Sequence, residues 1–307
     1  MGAIQAEVAF IFVVDDKCPE QTGDYVEAHC SDKRVVVLRH PANQGVGGAV
    51  MTGYKAAMKA GADIIVKIDG DGQMDPRLIP FFVEPIINGE ADYTKGNRFF
   101  FLDELRSMPT LRIFGNSILS FCSKVSTGYW TVFDPTNGFT AIHTNVAQLL
   151  PFASISKRYF FETDMLFRLN IVRAVVVDIP MDAKYGDEQS NLKISKIIAE
   201  FSFKHFRNVV KRIVYTYYLR DLSLASFELP IGLFLMVGGA TFGINRWVAG
   251  AHLHAAATAG TVMLAALPFL AGLQLILAFL GYDISSAPKR PIHKSLRRAK
   301  LLGTETH

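Results

Sequence analysis

The chain has 307 residues, half of them hydrophobic, and 32 Lys and Arg against 28 Asp and Glu give a formal net charge of +4. That length holds one sizeable domain plus further elements, and the apolar share is high for a purely soluble protein. The basic excess sits in residues 193–220, seven bases against Glu200 alone, and residues 285–307, six against Glu305 alone; the rest is net acidic, which argues for a membrane surface and against nucleic acid as a partner.

Cys18, Cys30 and Cys122 are odd in number and show no C-x-x-C pattern, which fits a reducing compartment without a zinc site. The N-terminal residues lack the basic flank, apolar core and small-residue cleavage site of a secretory signal, so membrane insertion is expected to rely on C-terminal spans.

In chain order, residues 8–14 read as a buried strand ending at Asp15 and Asp16, and residues 35–38 as a second strand. The stretch NQGVGGAVMTGYKAA (43–57) then leads into a helix over 47–60. It matches neither G-x-G-x-x-G, because Val50 takes the last position, nor G-x-x-x-x-G-K, because Tyr54 follows Gly53. Its glycines suit either close backbone approach to a flat ligand such as a nucleobase or ribose, or a tight loop-to-helix junction. Residues 64–68 form a third strand running into KIDGDGQMDP (67–76). There Asp69 and Asp71, two apart on a glycine-loosened turn with Gln73 two further on, offer oxygen-only ligands suited to Mg²⁺ or Mn²⁺. Asp75 reads instead as the cap of a helix that starts at Pro76. Alternating strands and helices imply a mostly parallel sheet whose ligand crevice lies beyond the C-terminal strand ends, where both acidic clusters fall.

Residues 174–179 are a further strand, and residues 194–219 a basic amphipathic helix suited to an anionic bilayer surface or to packing on the domain. Residues 224–244 and 255–280 are long and apolar enough to span a bilayer, with Glu228 read as interfacial near the first helix start. The intervening residues 245–254 hold Arg246 as their only Lys or Arg. The distribution of bases therefore puts the N-terminal region and the basic tail in the cytosol, joined by a short external hairpin.

The ordered set VVDDKCPEQTGD, NQGVGGAVMTGYKAA, KIDGDGQMDP, KGNRF, DPTNGFTAI and YFFETDMLFRL, followed by two spans, resembles family-two glycosyltransferases of the GT-A type over roughly residues 8 to 285. The likeness is to the branch that loads sugars onto polyprenyl phosphate, such as dolichol-phosphate mannosyltransferases and bactoprenol glucosyltransferases. The resemblance implies an α/β GT-A (Rossmann-like) domain over 1–192, a basic interfacial helix over 193–221, a two-helix membrane hairpin over 222–284 and a cytosolic tail over 285–307. Members of the family usually begin with a strand carrying a Pro-x-Tyr-Asn-Glu-like motif. Here MGAIQAEVAF leads straight into the second element, so the first strand is expected to be missing or truncated.

Carried over by position, the resemblance implies that Asp15, Asp16, Asn43, Gly45, Gly48, Asp69, Gly70, Arg98, Glu162 and Tyr185 bind the nucleotide-sugar. Asp69, Asp71 and Gln73 would hold Mg²⁺ or Mn²⁺, and Asp71, Arg98, Asp134 and Lys193 would act in catalysis. The turn Asn137-Gly138-Phe139 would lie on the acceptor or sugar side, Asp164 near the sugar, and Gly186 in a mobile segment with Tyr185. The expected activity is inverting, metal-dependent transfer of a hexose from a UDP- or GDP-sugar to polyprenyl phosphate by a multi-pass protein of the cytoplasmic membrane, with homo-oligomerisation left open. The alternative is a non-catalytic, membrane-anchored binding or assembly protein. A processive synthase is disfavoured because Gly243 stands where its Gln-x-x-Arg-Trp motif needs glutamine ahead of Arg246-Trp247. A nucleotidylyltransferase is disfavoured because no glycine-rich basic loop follows the first strand.

Overall fold

The computed structural model describes residues 2–100, 110–182 and 194–296. Tyr185, Gly186 and Lys193 lie outside the described residues. Two compact units emerge, residues 1–209 with 288–307, and residues 210–287.

In the first unit, β1 (Ile11–Asp15) pairs in parallel with β2 (Val35–Arg39), with α1 (Thr22–His29) between them. The helix α2 (Val46–Lys59) buries Met51, Tyr54 and Ala57 at successive three-residue steps, the spacing of one helical face. A second sheet has the order β3-β5-β4-β6, formed by β3 (Ile64–Lys67), β4 (Tyr93–Asn97), β5 (Thr140–His143) and β6 (Val176–Pro180). The strands β4 and β6 are parallel, whereas β5 runs against both β3 and β4. The reversed β5 makes this sheet mixed rather than mostly parallel. Between β4 and β5 lies α4 (Thr110–Thr127), and α3 (Ile79–Asn88) precedes β4.

Apolar clusters cover the sheets. One gathers Met51, Tyr54, Tyr93, Ile142, Met165 and Leu166; another centres on Phe82 stacked on Phe139, ring centroids 3.9 Å apart. Among the described residues β1 pairs only with β2 and β3 only with β5. A cavity of about 1010 Å³ is lined by residues of both, including Ile11, Val14, Ile64 and Val66, by Val50 of α2 and Val83 of α3, and by Ile4 and Val8. The N-terminal turn at this cavity is held by Arg34, whose guanidinium donates to the carbonyls of Ile4, Gln5 and Val8.

The helix α5 (Thr144–Ala147) is a single turn after β5, and α6 (Phe161–Ile171) precedes β6. The predicted basic helix forms as α7 (Ile194–Val214), followed by a π-helical turn over Tyr215–Arg220. One side of α7 packs on the domain: Asn208 donates to Asp164, His205 shares a hydrogen bond with Ser126 at 2.8 Å, and Phe201 meets Phe160 edge-on. Burial pulls the His205 imidazole down to about 4, so it is neutral there. Phe203, Phe206, Val210 and Val214, spaced by three and four residues, are exposed along the same helix. The C-terminal segment also packs on the first unit, where Ile292 and Leu296 join the core and Lys294 donates to the Asn88 carbonyl.

In the second unit, α8 (Ala225–Leu253) and α9 (Ala259–Ser285) are long and apolar enough to cross a membrane. The first runs well past the predicted end at 244, so the expected 245–254 loop is largely helix and Arg246 lies over Phe242 within it. Glycines let the two helices approach: a Cβ on Gly272 would sit 2.5 Å from the Met236 nitrogen, and one on Gly239 2.7 Å from the Ala265 carbonyl. Arg212 and Tyr217 both bind the buried Asp283, at 2.5 and 2.6 Å.

Candidate active site

The acidic pair after β1 and the glycine loop before α2 meet. Asp16 accepts hydrogen bonds from the Gln44 and Gly45 amides at 2.8 and 2.7 Å and binds His40 Nδ1 at 2.6 Å, while Asn43 Nδ2 donates to the Asp16 carbonyl. Burial opposes ionisation of Asp16, but these donors outweigh it and hold the carboxyl below its ordinary range. Asp15 accepts from the Cys18 and Gly23 amides at 2.7 and 2.8 Å, which lowers it too. Both acids thus shape the loops of the rim. The glycines seat α2 against the chain itself, with the Gly47 amide donating to the Lys157 carbonyl. A Cβ on Gly45 would come 2.6 Å from that same oxygen, and one on Gly48 2.5 Å from the Gln44 Cβ. The tight loop-to-helix junction is therefore present.

At the end of β3, Asp71 accepts from the Gln73 amide at 2.9 Å and is exposed, and Gly72 takes φ 75° to close the turn. Asp75 accepts from the Arg77 amide and caps the Pro76–Leu78 turn. Asp69 faces inward, 2.9 Å from Lys67 Nζ, and the same ammonium reaches Glu162 of α6 at 3.3 Å. Glycine at position 138 leaves room for this arrangement, since a Cβ there would strike Asp69 Oδ2 and Lys67 Nζ. Gly70 has open space around it.

Beneath lies Lys95 of β4, fully buried, its ammonium donating to the Asn137 carbonyl. Burial pulls its pKa down to about 8, partly offset by the nearby Glu162 and Asp134 carboxylates. Next to it Arg98 forms a two-pronged pair with the buried Asp134, through Nε at 2.8 Å and Nη2 at 3.1 Å, so the two expected catalytic groups act as a unit. Asp178 accepts from the Phe133 amide and from Asn97, and burial raises it to about 6. Asp164 accepts from the Ser156 amide and from Asn208, an anchoring position.

Asp69, Glu162, Arg98, Asp134 and the 137–139 turn are linked through the two buried lysines. Asp15, Asp16, Asn43, Gly45 and Gly48 form a second cluster at the end of β1. Among the described residues no group of three or more His, Cys, Asp or Glu side chains gathers that could hold a metal ion, leaving Asp69 and Asp71 as the carboxylate pair of the β3 turn. Sequence reasoning missed Lys67, Lys95 and His40. A lysine inside an otherwise apolar strand is a signal for the first, because lysine is almost never fully buried unless paired; His40 carries no such signal.

Residues 7–150 match the family model described as Glycosyl transferase family 2. The chain is 33% identical over 154 residues to a UDP-N-acetylglucosamine–dolichyl-phosphate N-acetylglucosaminyltransferase of Methanococcus voltae, covering 50% of this chain and 61% of that protein. It is 29% identical over 173 residues to an undecaprenyl-phosphate mannosyltransferase of Micrococcus luteus, covering 56% of this chain and 70% of that one. A solved glucosyl-3-phosphoglycerate synthase from Mycobacterium tuberculosis is 18% identical, with a TM-score of 0.45 over 67% of this chain and 69% of its own. The likeness to glycosyl transferase family 2 is thus carried by residues 7–150, and the chain spans 61% of the Methanococcus voltae relative's length.

Proposed function

We propose that the protein transfers a hexose from a UDP- or GDP-sugar to a polyprenyl phosphate at a membrane, with inversion. The observation that carries this reading is one chain joining the Asp69–Lys67–Glu162 and Arg98–Asp134 clusters to two helices of membrane length. Relatives named as polyprenyl- and dolichyl-phosphate sugar transferases support the acceptor class. A lipid phosphate is ionised at neutral pH, so the site needs no general base to generate its nucleophile. The demanding task is to offset charge developing on the departing nucleoside diphosphate.

Asp69 and Asp71, one half-buried and one exposed, fit Mg²⁺ or Mn²⁺, which commonly take one or two carboxylates and complete their shell with substrate phosphates and water. Gln73 stands beside them. Such an ion supplies Lewis-acid neutralisation of the diphosphate. Arg98, held by Asp134 with its side chain 26% exposed, contributes fixed positive charge at the leaving group. Glu162 offers an acceptor for sugar hydroxyls, and Lys193 and Tyr185 are assigned to the phosphate side by position. Asp15, Asp16 and the glycine loop hold the nucleoside end of the pocket. The exposed Phe203, Phe206, Val210 and Val214 enter the headgroup region while α8 and α9 span the bilayer, with the catalytic domain and tail cytosolic.

Among the described residues the cavity-facing edges of β1 and β3 pair with no strand, which favours the second reading, a membrane-anchored binding protein without turnover. Washed membranes carrying the protein, given labelled UDP- and GDP-sugars and a polyprenyl phosphate, are expected to yield labelled lipid. Asp71→Ala should abolish that yield without changing membrane insertion. Labelled lipid at near wild-type rate in Asp71→Ala would remove Asp71 from the site, and no label with any donor would favour the binding protein.

A further inference from the structure

Lys67 is out of place for an ordinary strand lysine. Its side chain is 6% exposed, and its ammonium lies 2.9 Å from Asp69 Oδ1 and 3.3 Å from Glu162 Oε1. A buried ammonium is stable only while a carboxylate or strong acceptor stays in contact. The surroundings restrict where it can go. Lys95, a second cation, lies close enough to interact with it electrostatically, and the bare Gly138 Cα packs against both Lys67 Nζ and Asp69 Oδ2. Glu162 is thus the second carboxylate within its reach.

We propose that Lys67 is a built-in counter-ion that occupies Asp69 in the free protein, competes with the divalent cation for that carboxylate, and shifts to Glu162 when the cation binds. It is a positioning residue: it keeps Asp69 aimed inward before donor and cation arrive, and it weakens cation binding so that the ion is retained mainly when diphosphate oxygens add to the ligand set. The inference rests on the reading of Asp69 and Asp71 as cation ligands. A monovalent and a divalent cation about 4 Å apart repel, even at the dielectric of water, enough to weaken binding about thirtyfold.

The test is Mn²⁺ titration of the full chain in detergent, followed by electron paramagnetic resonance of free Mn²⁺, without and with UDP. Lys67→Met removes the competing charge and should bind Mn²⁺ at least about tenfold tighter than wild type. Glu162→Gln removes the alternative seat for the ammonium and should bind Mn²⁺ more weakly, an opposite change that general unfolding of both variants would not produce. Wild-type or weaker affinity in Lys67→Met would overturn the proposal while leaving the cation reading standing. Absence of Mn²⁺ binding in wild type and both variants, with UDP present, would overturn that reading and the proposal with it.

Discussion

Besides its apolar packing, the C-terminal segment is held to the rest of the first unit by one buried carboxylate, which makes that part of its attachment quantifiable. Asp92 is fully buried and accepts from the Ile292 amide at 3.0 Å, the His293 amide at 2.9 Å and His293 Nδ1 at 2.8 Å, while the His293 ring stacks on His143 with centroids 4.5 Å apart. Asp92→Ala removes the acceptor for three donors of that segment. At a net value of about 1 kcal/mol each, the loss is about 3 kcal/mol, so the detached state should rise about a hundredfold. His293→Ala loses one hydrogen bond and the ring stack, about 1–1.5 kcal/mol, and should raise it about tenfold. Trypsin reads this, because the Lys294 ammonium is held by the Asn88 carbonyl and the bond after Lys294 is expected to become a substrate as the segment detaches. When detachment is fast relative to cleavage, the cutting rate follows the detached population. Loss of residues 295–307 from the full-length protein in detergent, followed by intact mass, should therefore order as Asp92→Ala, His293→Ala, wild type. Equal rates for Asp92→Ala and wild type would show that the hydrogen bonds of Asp92 do not hold the segment.

Further outcomes follow from the site and the sheets. Gly138→Ala forces a methyl group against Asp69 and Lys67, an overpacking cost of about 1–3 kcal/mol; sugar transfer should drop more than about tenfold while the thermal midpoint moves only a few degrees, and wild-type transfer would contradict the packing. Asp178, raised to about 6 from 3.8, holds its proton more firmly in the folded state, so its contribution is complete below the unfolded value and is lost as pH rises toward 6. That loss amounts to about 3 kcal/mol, and Asp178→Asn should flatten the fall in thermal midpoint between pH 4 and pH 7; an unchanged slope would refute it. In β1 the Ile11 amide donates to the Arg34 carbonyl, and ladder alternation turns the Phe12 and Val14 amides toward the cavity. Hydrogen exchange should be faster at Phe12 and Val14 than at Val13, and uniform protection would mean that this edge is covered.

What could be read in the residues and what could not divide along a physical line. Strands such as IFVVD and IIVK announce themselves because burial of β-branched runs needs no partner information, and the membrane-length helices do so by apolar length alone. By contrast YTKGN and TAIH carry polar residues at buried positions, so hydropathy hides both strands, the first of which holds Lys95 of the candidate site. The acidic turn after β3 was legible from spacing, but the cation that Asp69 touches is a lysine two residues away, on a strand whose inward face becomes known only through its register with β5. Charge pairing across separate elements, as in Lys67–Glu162, Arg98–Asp134 and His293–Asp92, is set by tertiary proximity that local pattern does not encode. Where buried polar groups concentrate, local reading and final structure diverge, and that divergence itself points to the candidate site: a fold that tolerates Lys67, Lys95, Asp134 and Asp178 in and beside one four-stranded sheet retains charges that a purely structural core would replace with apolar side chains.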